Sequence, residues 1–469
     1  MIYGPAPPGV AHLPKVNGAS LRLAGSLFAI LVTAQIILVW LSPRIDHVSV
    51  HEPQLALMLV AILMLPAVLL FVSLPRLANQ PPTRSLIVLM LLAGIAMRVA
   101  HFGADVIAET DHFRYLWDGA VVAAGYNPHS VSPYRALIGE APHLAALATR
   151  AEHILPLVNF SHMTTIYPGT AQIAFALAHV LTPFDMLGLR IVALSTELVT
   201  FGLLVHILQN RGLSPLWAAG YWLNPLIVLV IANQAHIDFL LPPLLLGALV
   251  TLWHGRAVSA AVLIGLAAGV KIWPLLLVPL GLRLLWPDRR KIAVALTAGA
   301  ITVGAVLAPV MLAAWTETSG LSAYARGWAM NNPFYLWVTW FFWAYLPETI
   351  PSDRILRGIV AFVTAAIAIY QCRRPITDFS DLLWRATIIA AATFYLAPAE
   401  FPWYAIWFVP LAAVVAFRPL LLAPVLLPVY YAFFPLAHAG LGHWYHYGLS
   451  FAHGLPVLLW MLWLRRGKG

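Results

Sequence analysis

Long apolar runs recur along this chain at the one length that ties a polypeptide to a bilayer. They fall at about 21–41, 54–74, 85–100, 167–182, 187–208, 215–232, 235–254, 257–286, 292–314, 382–398, 402–417, 420–437 and 449–464. A transmembrane helix needs roughly 17–25 such residues to cross ~30 Å of hydrocarbon. The 469 residues are 61% hydrophobic and 10% charged, against about 45–50% and ~25% in soluble domains, so a soluble globular protein is excluded. A polytopic protein of about eleven to thirteen spans, with no soluble domain, is expected. Its 27 Lys and Arg outnumber 18 Asp and Glu, but they are too scattered for a nucleic-acid face, and no nucleic acid is expected as partner. The single cysteine, Cys372, excludes a disulfide framework and any cysteine-based metal site.

Charge sets the expected orientation. Residues 1–20 read as a cytoplasmic tail before an uncleaved first span. With Lys15 and Arg22 inside, three spans put Arg76 and Arg84 inside and the segment 101–166 outside, in the periplasm of a bacterium. That segment holds Asp105, Glu109, Asp111, Asp118, Glu140 and Glu152, one third of the 18 acids. Loops beyond about 12–15 residues are usually functional or disordered, and its aromatic content argues against disorder. The cluster Arg283, Arg289, Arg290 and Lys291 is assigned to the cytoplasm. Parity between these points is open. If 257–286 crosses once, Lys271 sits deep in the membrane. If Lys271-Ile-Trp-Pro274 breaks it into two half-length helices, Lys271 lies near the outer surface; the second is preferred, since Pro274 removes a helix donor and a mid-bilayer lysine is costly. Arg373-Arg374 and Arg465, Arg466 and Lys468 fall inside, leaving 315–332, Glu400–Tyr404 and His438–His446 outside. No GxxxxGK[ST] or GxGxxG motif supports an ATP-driven pump.

Six features interrupt this pattern. In Glu109-Thr-Asp111-His-Phe-Arg114-Tyr115-Leu-Trp117-Asp118-Gly119, a helix would put Asp111 and Asp118 on one face about 10.5 Å apart with Arg114 a turn from each. One carboxylate is then tied to Arg114 while the other stays free; a surface helix with an ordinary Arg114–Asp118 pair is the plainer reading. Thr164-Thr-Ile-Tyr167-Pro168-Gly-Thr-Ala-Gln172 opens an apolar run and, taken alone, is a helix start. In Asn233-Gln234-Ala-His236-Ile-Asp238, His236 and Asp238 diverge on a helix and share a ligand only if the backbone there is non-helical. Lys271, within an apolar segment, needs an anion or a snorkelling route to water. The aromatic groups around Trp328, Asn331, Trp403 and Tyr404 suit an interfacial belt or a pocket wall. His438, His443 and His446 offer an i,i+3 pair but no neighbouring carboxylate, so no metal is assigned there.

Taken in order, Asp111–Gly119, Ala124-Gly-Tyr-Asn127-Pro128, Tyr167-Pro168 with Gln172, His236-Ile-Asp238, Gly269-Val-Lys271-Ile-Trp-Pro274 and Pro402-Trp403-Tyr404 resemble the GT-C superfamily of integral-membrane glycosyltransferases. The likeness is greatest to its bacterial polyprenyl-phosphate-mannose-dependent branch and spans about residues 85–420. It implies an all-α bundle with a large first periplasmic loop, 101–166, that carries an acidic catalytic motif and short helices, then a bundle over 167–464, all in one domain. It also implies an inverting transfer from a lipid-phosphate-linked sugar. The branch commonly shows two adjacent aspartates where this chain has Thr110-Asp111, so Asp111 matches the catalytic residue and a metal-binding role for the motif is set aside. Tyr167-Pro168-Gly169 likewise replaces the usual Tyr-Pro-Pro.

The chemistry agrees. Displacing a polyprenyl phosphate from an anomeric carbon needs a base for the incoming hydroxyl and cations for the leaving phosphate. Asp111 is expected as base, with Lys271 and Arg114 on the phosphate and Asp118 fixing Arg114. Tyr167, Gln172, His236, Asp238, Trp328, Asn331, Trp403 and Tyr404 are expected around donor or acceptor. The expected partners are a polyprenyl-phosphate-linked sugar donor, a glycan, lipid or protein acceptor, and the bilayer. No cofactor is expected, and a divalent metal is not supported by the sequence. A lipid or solute transporter is the alternative, but the second copy of a broken helix that many transporters carry is absent from the sequence.

Overall fold

A computed structural model describes residues 18–316, 318–347 and 349–466, so most of the expected tail 1–20 lies outside the described residues. The protein is an all-α polytopic membrane protein. Among the described residues there is no strand, only isolated bridges from Met330 and Asn331 to Ala399.

Among the described residues six helices are, by length and composition, long and apolar enough to cross a membrane: Leu21–Arg44, Pro53–Ala78, Met186–Asn210, Arg289–Ala313, Arg418–His438 and Gly442–Arg466. A seventh span results if Pro215–Trp222 and Pro225–Asn233, bent by 59°, count as one. The expected eleven to thirteen spans are therefore not matched by long helices. The stretch at 215–232 bends at Asn224-Pro225, where the Asn224 side chain caps the second piece through the amides of Leu226 and Ile227. The stretch at 235–254 shortens to Leu241–Trp253. The stretch at 402–417 is a 3-10 turn, Pro402–Trp407, and a short helix, Val409–Val414, both buried throughout. Proline accounts for much of this, because it supplies no amide donor, and irregular backbone at membrane depth is tolerated only inside protein.

The stretch at 257–286 breaks, as the second alternative required. Helix Ala257–Ala268 ends before Lys271, and a 3-10 turn, Trp273–Leu277, leads into Val278–Leu285. Gly269 makes the break fit. A Cβ there would lie 2.2 Å from Thr170 Oγ1, and its carbonyl accepts from Ala171 N at 3.1 Å. Lys271 is thereby held beside the start of helix Gly169–Leu181.

The segment 101–166 carries helix Asp111–Ala123 and the short helices Pro133–Leu137 and Ala145–Arg150. Its entry is anchored by Asn233, whose side chain accepts from Ile107 N at 2.8 Å and donates to Asp105 O at 2.8 Å. Helix Asp111–Ala123 packs directly on helix Gly169–Leu181 through Gly119, where a Cβ would lie 2.3 Å from Phe175 O.

Candidate active site

Helix Asp111–Ala123 begins at the floor of a cavity of about 460 Å³. Glu109, Asp111, Arg114, Tyr167 and Lys271 line it, with an aromatic wall of Tyr324, Trp328, Phe401, Trp403, Tyr404 and Tyr430. Residues from the segment 101–166, from the break at Lys271 and from the 3-10 turn at Pro402 thus meet in one space.

Glu109 shapes the entrance to the helix. Its Oε1 accepts from the backbone amides of Thr110 at 2.7 Å and Asp111 at 3.0 Å, and its Oε2 lies 3.5 Å from His236 Nε2. These amides, with the His236 ring, hold its carboxyl below the usual range against the opposing effect of burial, which is the largest influence. Asp111 behaves oppositely. Burial and then the charge of Glu109 raise its carboxyl to about 6, while His236 and Lys271 pull the other way. Two neighbouring carboxyls pushed apart in this way divide into one permanent anion and one group that exchanges protons near neutrality. Glu109 stood in the acidic string without a role. The signal that could have found it was its position two residues before Asp111, which places both carboxyls at one helix start.

Lys271 Nζ lies 3.9 Å from Asp238 Oδ2 and 4.8 Å above the Tyr404 ring. Its side chain is 21% exposed, so the ammonium is open to the cavity, not sealed in a close ion pair. His236 and Asp238 do face the same centre, because the backbone is non-helical there: Ala235 has φ +53° and His236 is extended in ψ. They stand behind the cavity wall, however, each 1% exposed. Asp238 accepts from Trp407 Nε1 at 2.7 Å, and the His236 ring stacks on Trp403 at 3.8 Å with its Nδ1 3.4 Å from Tyr115 Oη. Their contacts brace Glu109, Lys271 and Trp403, which corrects their expected place against the substrate.

Arg114 requires a larger correction. Its guanidinium donates to the carbonyls of Asn159 at 2.8 Å, Phe160 at 3.0 Å and Met163 at 3.0 Å. No ion pair joins it to Asp118 among the described residues. Three carbonyls take three of its five N–H donors, because a buried guanidinium must be hydrogen-bonded on site, and they anchor it to the chain where it lines the cavity. Arg114 instead pins 159–163 over the cavity, where Phe160, at φ +50°, meets Trp328 edge-on at 4.6 Å. Asn159 also donates to Thr110 Oγ1. Asp118, one helical turn deeper and 1% exposed, accepts from Gln172 Nε2 at 3.1 Å. Gln172 also donates to Tyr167 O at 3.2 Å, so both hold the Tyr167 turn and neither lines the cavity. Asn331 is likewise structural. Fully buried at φ +63°, it donates to Glu400 O at 2.7 Å and accepts from Tyr445 Oη.

Tyr167, Trp328, Trp403 and Tyr404 fall where a pocket wall requires them. Tyr167 Oη donates to Tyr115 Oη at 3.3 Å, and Tyr324 and Tyr404 hydroxyls are 2.8 Å apart. Among the described residues no three His, Cys, Asp or Glu side chains group as metal ligands; His438 packs against His51 at 5.7 Å instead.

No protein-family model, curated protein or solved structure matches this chain. Its chemistry therefore rests on this geometry. The cavity offers a carboxyl near neutrality, a solvent-facing ammonium and flat aromatic surfaces. That set suits proton removal from a hydroxyl, charge balance for an anionic group and stacking on a sugar or similar ring.

Proposed function

We propose that this protein is an inverting glycosyltransferase of a bacterial inner membrane. It moves a hexose, mannose in the first instance, from a polyprenyl-phosphate-linked donor to a glycan, lipid or protein acceptor in the periplasm. The observation that carries the reading is that Asp111 and Lys271, 160 positions apart in sequence, line the same cavity.

In this mechanism the ionised Asp111 carboxylate takes the proton of the acceptor hydroxyl. The hydroxyl oxygen forms its bond to the anomeric carbon as the bond from that carbon to the phosphate oxygen breaks. The electron pair leaves with the polyprenyl phosphate, and the Lys271 ammonium balances the charge that develops there. Attack from the face opposite the leaving group inverts the anomeric centre. Trp328, Trp403 and Tyr404 present ring faces to the sugar, and Arg114 keeps the 159–163 segment over it. No nucleotide site is needed, because the donor brings its own activation.

The test is release of polyprenyl phosphate from labelled polyprenyl-phospho-mannose by purified protein, with membrane extract supplying acceptor. Asp111→Asn is expected to lose about 10²–10⁴-fold in kcat, as for loss of a general base. Lys271→Ala is expected to raise KM and lower kcat together. Unchanged turnover in Asp111→Asn refutes the base assignment. Donor binding and translocation without release of polyprenyl phosphate would replace the enzyme by a transporter.

A further inference from the structure

A second feature lies at the far end of helix Ala257–Ala268 from Lys271. Two clefts meet there. One, of about 520 Å³, is lined by Arg256, Asp288, Arg290 and Lys291 with the first turn of that helix. The other, of about 260 Å³, runs between helices Leu241–Trp253, Ala257–Ala268, Val278–Leu285 and Arg289–Ala313, and every residue lining it is Ala, Gly, Val, Leu or Ile. Ala257 belongs to both walls, so the charged cleft adjoins the apolar one.

The charges do not cancel. Lys291 Nζ pairs with Asp288 Oδ2 at 3.2 Å, while Arg256 and Arg290 have no ion pair or side-chain hydrogen bond among the described residues. Three cations against one carboxylate leave the cleft positive, and the starts of helices Ala257–Ala268 and Arg289–Ala313 add their positive dipole ends to the same place. A positive cleft beside an apolar slot matches an amphiphile with an anionic head. The twelve residues of helix Ala257–Ala268 put about 18 Å between this cleft and the break at Lys271, so one phosphate cannot reach both.

We propose that the two clefts form one binding site for an anionic glycerophospholipid of the surrounding membrane. Its phosphate diester sits on Arg256 and Arg290, and one acyl chain enters between the helices. Basic pockets between transmembrane helices at the negatively charged membrane surface commonly hold such headgroups. The site stands independently of the transferase reading, since it uses none of the residues of the first cavity.

The experiment is native mass spectrometry of the full-length protein in detergent, titrated separately with dioleoyl-phosphatidylglycerol and dioleoyl-phosphatidylcholine. Phosphatidylglycerol is expected to bind more tightly. The double variant Arg256→Gln/Arg290→Gln is expected to weaken it about 30-fold, as for two interfacial cations, and Arg373→Gln/Arg374→Gln, with the same charge removed elsewhere, by less than about 3-fold. Gly281→Leu reports on the apolar slot. A Cβ there meets nothing closer than Leu252 at 3.8 Å, so the leucine fills the slot without striking backbone and should expel the lipid with every charge retained. Arg256 and Arg290 are exposed, so their double variant folds whatever the fate of Gly281→Leu. Equal binding of the two lipids, equal loss in the two charge variants, or full binding by folded Gly281→Leu overturns the proposal. Displacement of phosphatidylglycerol by equimolar undecaprenyl phosphate would overturn it too, by assigning the cleft to a polyprenyl carrier.

Discussion

Replacing Asp111 by asparagine is expected to make the protein more stable at neutral pH while abolishing turnover. The carboxyl is raised from 3.8 to about 6 by burial and by Glu109. Folding therefore holds its proton more tightly than the unfolded chain does, and keeping it ionised in the fold costs free energy. At about 1.4 kcal/mol per pH unit the ceiling is ~3 kcal/mol. Asp111 is only partly buried, and solvent screening reduces this to roughly 1–2 kcal/mol. The sign follows from proton binding: between about pH 4 and pH 6 the native state carries more protons than the unfolded state, so stability falls as pH rises. Above pH 6 the cost is fully present, and below about pH 4 it vanishes. Asp111→Asn, which has no charge to bury, should thus melt roughly 1–2 °C higher at pH 7.5 and at the same temperature as the native protein at pH 4. Thermal scans in one detergent at both values, at one scan rate, measure this. A variant that melts lower at pH 7.5, or a difference independent of pH, would refute the claim that Asp111 is held ionised at a cost.

Other consequences follow from the same geometry. Glu109→Gln removes the largest charge raising Asp111, so the acid limb of a pH–rate profile should move to lower pH; an unmoved limb separates Glu109 from the base. Arg114→Met should leave donor affinity within about 3-fold, because three of its five donors are held by carbonyls of 159–163, but should raise hydrogen exchange across 159–163. A loss of donor affinity with unchanged exchange would return Arg114 to the phosphate. Gly119→Val should destabilise by more than ~3 kcal/mol, since its Cβ meets backbone 2.3 Å away, and expression with normal melting would show that the two helices separate easily.

How much of this was legible beforehand differs by residue. Lys271 announced itself, because a lone ammonium in an apolar run is expensive wherever it ends up, and Pro274 beside it marked the break. Asp111 stood out in an acidic string outside the apolar runs. Arg114 and Asp118 are neighbours in charge, as helical spacing suggests, but not a close ion pair, because the guanidinium is hydrogen-bonded to three carbonyls and the carboxylate to Gln172. Gln172 and Asn331 were polar residues in apolar surroundings, a pattern shared by ligands and by structural anchors alike. Apolar runs and continuous helices part company where prolines fall inside the runs, since hydropathy reports what is buried and not whether the backbone is continuous.

Sequence alone determined that the chain is a membrane protein, where polar side chains interrupt it, and that Lys271 lies at a break. These follow from local composition, because the cost of placing a charge or an unsatisfied donor in hydrocarbon does not depend on the rest of the fold. Tertiary structure decided which polar residues meet. Helix Asp111–Ala123 must dock through Gly119, and the Lys271 break must seat through Gly269, before Asp111 and Lys271 share a cavity. Glu109 acts on Asp111 from two residues away in sequence, but the burial that raises the Asp111 carboxyl and the His236 and Lys271 charges that oppose it come only with packing. Electrostatic coupling falls off over a few ångströms, so between residues distant in sequence it belongs to the packed molecule.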